Sequence, residues 1–277
     1  MMDAVAPAPT ASRLRRLIGA IDNRYLAPVL VTCVLLIGHL SFGILESYTR
    51  TALAILTALG TEVLLGKLVY GKYPHLASAY ISGISAGILV RSPFYWPYFL
   101  TSLISITSKY VLRVRGRHLW NPTNFGVSAV VFLAPATIAV LSVQWGNVVA
   151  PMAVIWVLGA VIVWRVGRLH ISVTYVLSFL AFSFVRAWWT ATPWVANVAP
   201  ITGPMYQLFT FFMVTDPKTT VKSVKGQCVV VFLVAVLETV LRLNEVVYAP
   251  FYALFIVGPL ALLVEQWYDA RRRVRAA

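Results

Sequence analysis

Ten apolar segments follow one another along this chain with only short polar breaks between them, at roughly 27–43, 48–66, 76–90, 95–110, 121–142, 150–164, 170–187, 200–215, 227–242 and 249–266. A helix needs about 20 predominantly apolar residues to cross a bilayer, and several of these segments sit near the lower limit of that range. A soluble domain carries about a quarter of its residues as Asp, Glu, Lys and Arg, whereas this chain carries 12%. The deficit runs the whole length, so most of the surface must face lipid rather than water. The fold class that follows is an all-α polytopic membrane protein with about ten transmembrane helices.

The charges that do occur orient those helices. With the N-terminus inside, 19 of the 23 basic residues fall in the two tails and the even-numbered connections, all on one side. Arg50, Arg91, Arg186 and Arg242 are left for the other side, one per external loop. Lysine and arginine accumulate on the cytoplasmic face, so the asymmetry predicts ten spans with both termini cytoplasmic. Topology thus accounts for the formal charge of +14, and no nucleic-acid partner is needed. Residues 1–26 read as a cytoplasmic lead rather than a signal peptide, with a short surface helix at Arg13 to Arg24. Residues 27–268 form a single transmembrane domain with halves at 27–142 and 150–268, and 269–277 are a basic cytoplasmic tail. Cys33 and Cys228 lie in apolar runs and read as buried small hydrophobes.

Ten spans divide into five and five, and because five is odd a duplicated unit enters the membrane from opposite sides in the two halves. The third segment ends at Arg91-Ser92-Pro93 and the eighth, five later, at Asp216-Pro217-Lys218; the fifth and tenth share prolines near each end, Pro122 and Pro135, Pro250 and Pro259. Such an echo predicts an inverted repeat with broken helices meeting near the bilayer midplane, where exposed helix ends can bind a ligand.

Two polar stretches stand out. In "RVRGRHLWNPTNFG", 113–126, Asn121 before Pro122 suits a helix start, since the amide oxygen accepts an orphan N–H and proline at the first position loses no bond. Capping does not explain Thr123, Asn124 and Gly126 in the same turns, and amides inside a bilayer bond a neighbouring helix or a ligand; both roles stay open. Arg113, Arg115, Arg117 and His118 just before it suit anionic lipid headgroups or a phosphate. In "FFMVTDPKTT", 211–220, Thr215, Asp216, Pro217, Lys218 and Thr219 read as a turn and cap, or as a re-entrant break that holds a polar ligand. Of the deep acids, Glu62 and Glu265 are expected to reach the interface and Glu238 to pair with Arg242 four residues on. The many Trp and Tyr at segment ends, Trp120, Trp145, Trp164, Trp188, Trp189, Trp194 and Trp267 among them, read as an interfacial belt. No paired carboxylates, histidine cluster or nucleophile triad supports a hydrolase or metalloenzyme.

"RSPFYWPYF", "RGRHLWNPTNFGVSAVVFLAP", "FFMVTDPKTT" and "YAPFYALFIVGPLALLVEQW", in that order, resemble the membrane subunit family formed by the D subunit of the Rnf electron-transport complex and the B subunit of the sodium-pumping NADH:quinone reductase. The resemblance covers roughly residues 75 to 268. It implies about ten helices in an inverted repeat of five, a urea-channel-like fold, the bacterial cytoplasmic (inner) membrane, and partner subunits of a redox complex that couples electron flow to sodium or proton movement. By resemblance, Asn121, Pro122, Asn124 and Gly126, with Thr123 between them, belong to one re-entry point, and Thr215, Asp216 and Pro217, with Lys218 and Thr219 beside them, to the other; both surround the central cofactor or ion region.

One departure changes the cofactor expectation. Family members with covalent FMN carry a Ser-Gly-Ala-Thr type motif in a long external connection after the fifth span. Here that connection is only "LSVQWGNVVAP", 141–151, without a serine-glycine pair or any threonine. Covalent FMN is therefore not expected. What the resemblance implies instead is an electron-transport component with a noncovalent flavin (FMN or riboflavin) or a quinone. The alternatives are a channel or transporter for a small-molecule ligand on the same scaffold, and an accessory membrane protein in natural-product biosynthesis.

Overall fold

Apolar helices of two lengths make up the protein, whose computed structural model describes residues 23–42, 47–140 and 149–276. In chain order the helices are α1 (Asn23–Phe42), α2 (Tyr48–Tyr70), α3 (Ala77–Leu89), α4 (Trp96–Val111), α5 (Pro122–Leu133), α6 (Val149–Arg165), α7 (Leu169–Thr190), α8 (Trp194–Val198), α9 (Pro204–Leu208), α10 (Val224–Leu243) and α11 (Ala249–Ala276). A 3₁₀ turn, Ala199–Thr202, separates α8 from α9, and a π turn, Phe209–Met213, continues α9. Two-residue strands form two antiparallel pairs: β1 (Val90–Arg91) with β4 (Ala139–Val140), and β2 (Arg113–Val114) with β3 (Arg117–His118). Residues 13–22 of the expected surface helix and residues 141–148 of the short connection lie outside the described residues.

Among the described residues, four helices are long and apolar enough to cross a membrane: α2, α7, α10 and the Ala249–Arg272 part of α11, with mean hydropathy between 1.5 and 2.0. At 1.5 Å per residue their 20 to 24 residues reach about 30–36 Å, the thickness of a hydrocarbon core. Their outer faces are apolar as well. Leu56, Leu64 and Leu68 on α2, Leu177 and Phe184 on α7, and Leu260 and Val264 on α11 are each more than half exposed, a surface that water does not tolerate in bulk. This is an all-helical protein of the membrane type.

The remaining apolar segments are shorter or broken. α3 has 13 residues and α5 has 12, so each reaches only about 18–20 Å. The expected segment 121–142 is helical only to Leu133, because Ala134 precedes Pro135 and a residue before proline is driven out of the helical region; Ala134 sits at φ −140°. The chain then turns and pairs with the strand that ends α3, so the two short helices finish against each other. The loop after that strand is held from α2: Arg50 donates to the Pro93 carbonyl at 2.7 Å, and Thr49 bonds the Tyr95 hydroxyl at 3.1 Å. The expected segment 200–215 is likewise a 3₁₀ turn, α9 and the π turn rather than one rod.

Close helix contact depends on small residues where lipid supplies no hydrophobic drive for helices to associate. Gly83 and Gly87 of α3 lie so near α2 that a Cβ would stand 2.7 Å from Ile55 Cα and 2.8 Å from Thr51 Cγ2. In the first half, α2 packs on α3 and α4, and α4 packs on α5; in the second, α7 packs on α10 and α10 on α11. The halves meet where α5 packs on α11 and α1 on α6.

Two buried carboxylates lock these pairs. Glu62 of α2 was expected at the interface but is buried, paired with the equally buried Lys109 of α4 and accepting the Tyr110 hydroxyl at 3.1 Å. Glu238 pairs with Arg242 at 2.9 Å as its spacing suggests, yet it is 1% exposed and also receives the hydroxyls of Tyr175 and Tyr206. Removing one partner of a buried pair strands the other charge, whereas replacing both with apolar groups is close to neutral. Lys109→Met is therefore expected to cost about 3–5 kcal/mol in detergent unfolding, and a second substitution, Glu62→Leu, to recover most of it. A double variant as unstable as the single would show that a stranded charge is not what destabilises Lys109→Met.

Candidate functional site

The site grows from the start of α5. Asn121 is extended (φ −60°, ψ 124°), its Oδ1 accepts the Asn124 backbone N–H at 3.0 Å, and Pro122 occupies the first turn where an N–H has no helical partner. The cap engages only the amide oxygen. The other half of the amide, Nδ2, donates to Oδ2 of Asp216 at 3.3 Å. The two polar stretches of the sequence thus meet through one hydrogen bond.

Asp216 sits in a turn that its own groups stabilise. Its Oδ1 accepts the Lys218 N–H at 3.0 Å, and its carbonyl accepts the Thr219 and Thr220 N–H groups and the Thr220 hydroxyl. Thr215 returns its hydroxyl to the Phe211 carbonyl at 2.6 Å. The turn is also tied from outside. Arg117 donates to the carbonyls of Lys218 and Thr220 and pairs with Glu265 of α11 at 3.1 Å, while Glu265 accepts the Lys222 N–H at 2.6 Å. Glu265 is therefore a half-buried anchor rather than an interfacial charge.

Behind the Asn121–Asp216 bond lies a cavity of about 650 Å³, within the range of small-molecule sites. Asn121, Pro122 and Thr123 form one wall; Thr215, Asp216, Pro217 and Lys218 form another. Phe211 and Phe212 add apolar surface. Ser78, Ser82 and Ser85 line it from α3, spaced so that they share one helical face. Arg168, between α6 and α7, completes the wall near enough to Asp216 to interact with it, and its Nη1 is buried without a hydrogen-bond partner.

Three expected residues do not line this cavity. Asn124 donates to the Phe251 carbonyl at 3.2 Å, an interhelix bond between α5 and α11. Gly126 presses against α4, where a Cβ would stand 2.1 Å from Ser105 Oγ and 2.6 Å from the Thr101 carbonyl. Thr219 lines a small neighbouring cleft. Among the aromatic residues, Trp164, Trp188, Trp189, Trp194 and Trp267 are exposed near helix ends as a belt requires, whereas Trp120 turns inward, donating to the Phe255 carbonyl at 2.8 Å between Phe125 and Phe255. Trp145 lies outside the described residues. Sequence reading assigned Arg168 to topology alone and passed over the serines of α3, although their spacing on an otherwise apolar helix was a usable signal.

The β2–β3 hairpin beside the cavity carries His118, only 9% exposed. Burial, and then the nearby Lys218, Lys109 and Arg113, hold its imidazole down to about 4. No protein-family model matches this chain, and no curated protein matches it either.

Two outcomes follow from this geometry. Asn121→Ala removes both cap and cross-link and is expected to cost about 1–2 kcal/mol, of which Asn121→Ser, which retains a capping oxygen, recovers about half; thermal unfolding of the two variants checks this. In the unfolded chain His118 titrates near 6.5, so between about pH 6.5 and pH 4 the unfolded state binds more protons and stability falls as pH falls. The thermal midpoint of the wild type is expected to drop across that window relative to His118→Gln. Parallel curves for the two proteins would count against a buried neutral imidazole.

Proposed function

We propose that this chain is a membrane component of an electron-transport system of the Rnf D-subunit and sodium-pumping reductase B-subunit type, positioning a noncovalent flavin or a quinone in the cavity behind Asn121 and Asp216. The single observation that carries this reading is that the two stretches expected to form the re-entry points are hydrogen-bonded to each other on the wall of one cavity. The reading includes ten membrane segments in an inverted repeat with a urea-channel-like fold, both termini cytoplasmic, in a bacterial inner membrane, with partner redox subunits and coupling to cation movement. Support for the repeat comes from packing order. α2 on α4 and α4 on α5 have their counterparts in α7 on α10 and α10 on α11, and α1 on α3 in α6 on the π turn.

The residues present fit a planar ring with a polar edge. Phe211 and Phe212 offer apolar surface, Asn121, Thr123 and the α3 serines offer polar partners, and Arg168 Nη1 is a buried donor without one. A bound flavin or quinone supplies the redox chemistry; the chain's part is to bind and orient the ring, exclude water and set the local charge through Asp216 and Arg168. A second reading, a channel or transporter for a small polar solute, is favoured by the serine stripe of α3, which offers a hydroxyl at successive turns along the cavity wall. An accessory role in natural-product biosynthesis rests on resemblance alone.

Gently purified protein, or protein reconstituted with FMN or riboflavin, is expected to absorb between 350 and 500 nm, with the colour passing into the supernatant on acid precipitation and Arg168→Gln weakening retention about tenfold. Colour that stays with the pellet would contradict a noncovalent site. A colourless protein that binds no quinone but moves a polar solute across liposomes would replace the first reading with the second.

A further inference from the structure

Beside the cavity at the Asn121–Asp216 bond, the seam cavity, lies a second recess of about 400 Å³, formed where the C-terminal ends of α2 and α4 meet the β2–β3 hairpin. Four cations line it, Lys109, Arg113, Arg117 and Lys218, against the single carboxylate of Glu62. Each helix end contributes about half a negative charge, which still leaves the recess positive.

Not all of that charge is engaged. Lys109 is paired with Glu62, and Arg117 with Glu265 and two backbone carbonyls. Arg113 donates to the Tyr70 hydroxyl and, at 2.9 Å, to the Gly116 carbonyl, but stays exposed. The Lys218 side chain is exposed, and among the described residues no ion pair holds its ammonium. His118 also lines the recess, nine-tenths buried, and its Nδ1 has no hydrogen-bond partner. Clustered positive charge beside a buried nitrogen that lacks a bond is costly as it stands; a phosphoryl group offsets that charge and completes the bond, its P–OH donating to Nδ1 or its oxygen accepting from a protonated Nδ1.

We propose that this recess binds a phosphoryl group, held by the Lys218 ammonium, the Arg113 guanidinium and His118, and carried either by an anionic lipid headgroup or by a soluble phosphate ligand. Charge-assisted bonds from a guanidinium and an ammonium suit a compact, highly charged oxyanion better than a diffuse one. The pull of such an anion raises the proton affinity of His118, whose facing charges are Lys218, Lys109 and Arg113. His75, Ser78 and Lys218 line both cavities, so an occupant of the recess abuts the wall of the seam cavity. The recess can take a phosphoryl group whether or not that cavity holds a flavin.

The test is the thermal midpoint of the full chain in an uncharged detergent at pH 7, titrated with inorganic phosphate while chloride keeps the ionic strength constant. A saturable rise is expected. Arg113→Gln and Lys218→Gln, both at exposed positions, are each expected to raise the half-saturating phosphate concentration at least about fivefold while leaving the phosphate-free midpoint near that of the wild type. Repeating the titration in nanodiscs identifies the source. A curve displaced to higher phosphate by phosphatidic acid, compared with phosphatidylcholine, assigns the recess to a lipid headgroup; coincident saturable curves assign it to a soluble phosphate. No saturable response, a response that chloride reproduces, or variants that titrate like the wild type would overturn the proposal, and none of these results bears on whether purified protein carries a flavin.

Discussion

A backbone that stops being helical within apolar surroundings must still find partners for its N–H and C=O groups, because neither lipid nor apolar side chains can supply them. Much of this architecture follows from how that demand is met. After α3 the chain pairs with the strand that follows α5, and Arg50 reaches the exposed Pro93 carbonyl. After the π turn, Asp216 and the threonines close a local turn, and Arg117 takes up the carbonyls of Lys218 and Thr220. Arginine suits this task, since its planar fork presents several donors at fixed angles. The polar residues at the breaks therefore first satisfy the backbone. Beyond the backbone, Asn121 joins the two polar stretches through Nδ2 to Asp216, and Arg168 keeps a buried Nη1 without a hydrogen-bond partner.

The stretch 113–126 is best understood as a seam. Arg115 donates to the Gln266 carbonyl, Gln266 returns an amide to the Val114 carbonyl, and Trp120 and Asn124 reach the Phe255 and Phe251 carbonyls. All four bonds run to α11. Together with Arg117–Glu265 they set the position of α5 relative to the second half, and hence the distance between Asn121 and Asp216. Buried hydrogen bonds of this kind are individually modest; their use here is registry, because a shift of α11 by one turn breaks all of them together.

The membrane character of the chain was legible from its scarcity of charge, since composition alone decides whether a surface can face water. The cap at Asn121 and the turn at Asp216 were legible too, because both depend on local backbone chemistry. The partnership between them was not, as it joins positions far apart in sequence. Glu62 was misjudged for a related reason: its neighbours in sequence place it near a helix end, and only the approach of α4 brings Lys109 to it. The early end of α5 could have been read from Pro135, but the apolar run continues past it, and hydropathy does not register a lost helix. Gly126 lies close to a polar cluster yet is needed for contact with Ser105, a requirement of tertiary packing that no single segment encodes.

The π turn at Phe209–Met213 holds Val214 N–H to the Phe209 carbonyl, five residues back, at 3.1 Å. A turn of this width behaves as an ordinary helix with one surplus residue accommodated in it. Each helical residue advances the chain by about 100°, so the surplus decides which way everything downstream points. Trimming a single residue there would let the coil wind normally, swing Thr215 and Asp216 about a quarter of the way round the axis, and leave the amide of Asn121 reaching toward empty space. The register of one wide turn is thus a switch through which insertions and deletions, rather than substitutions, can create or abolish the pocket.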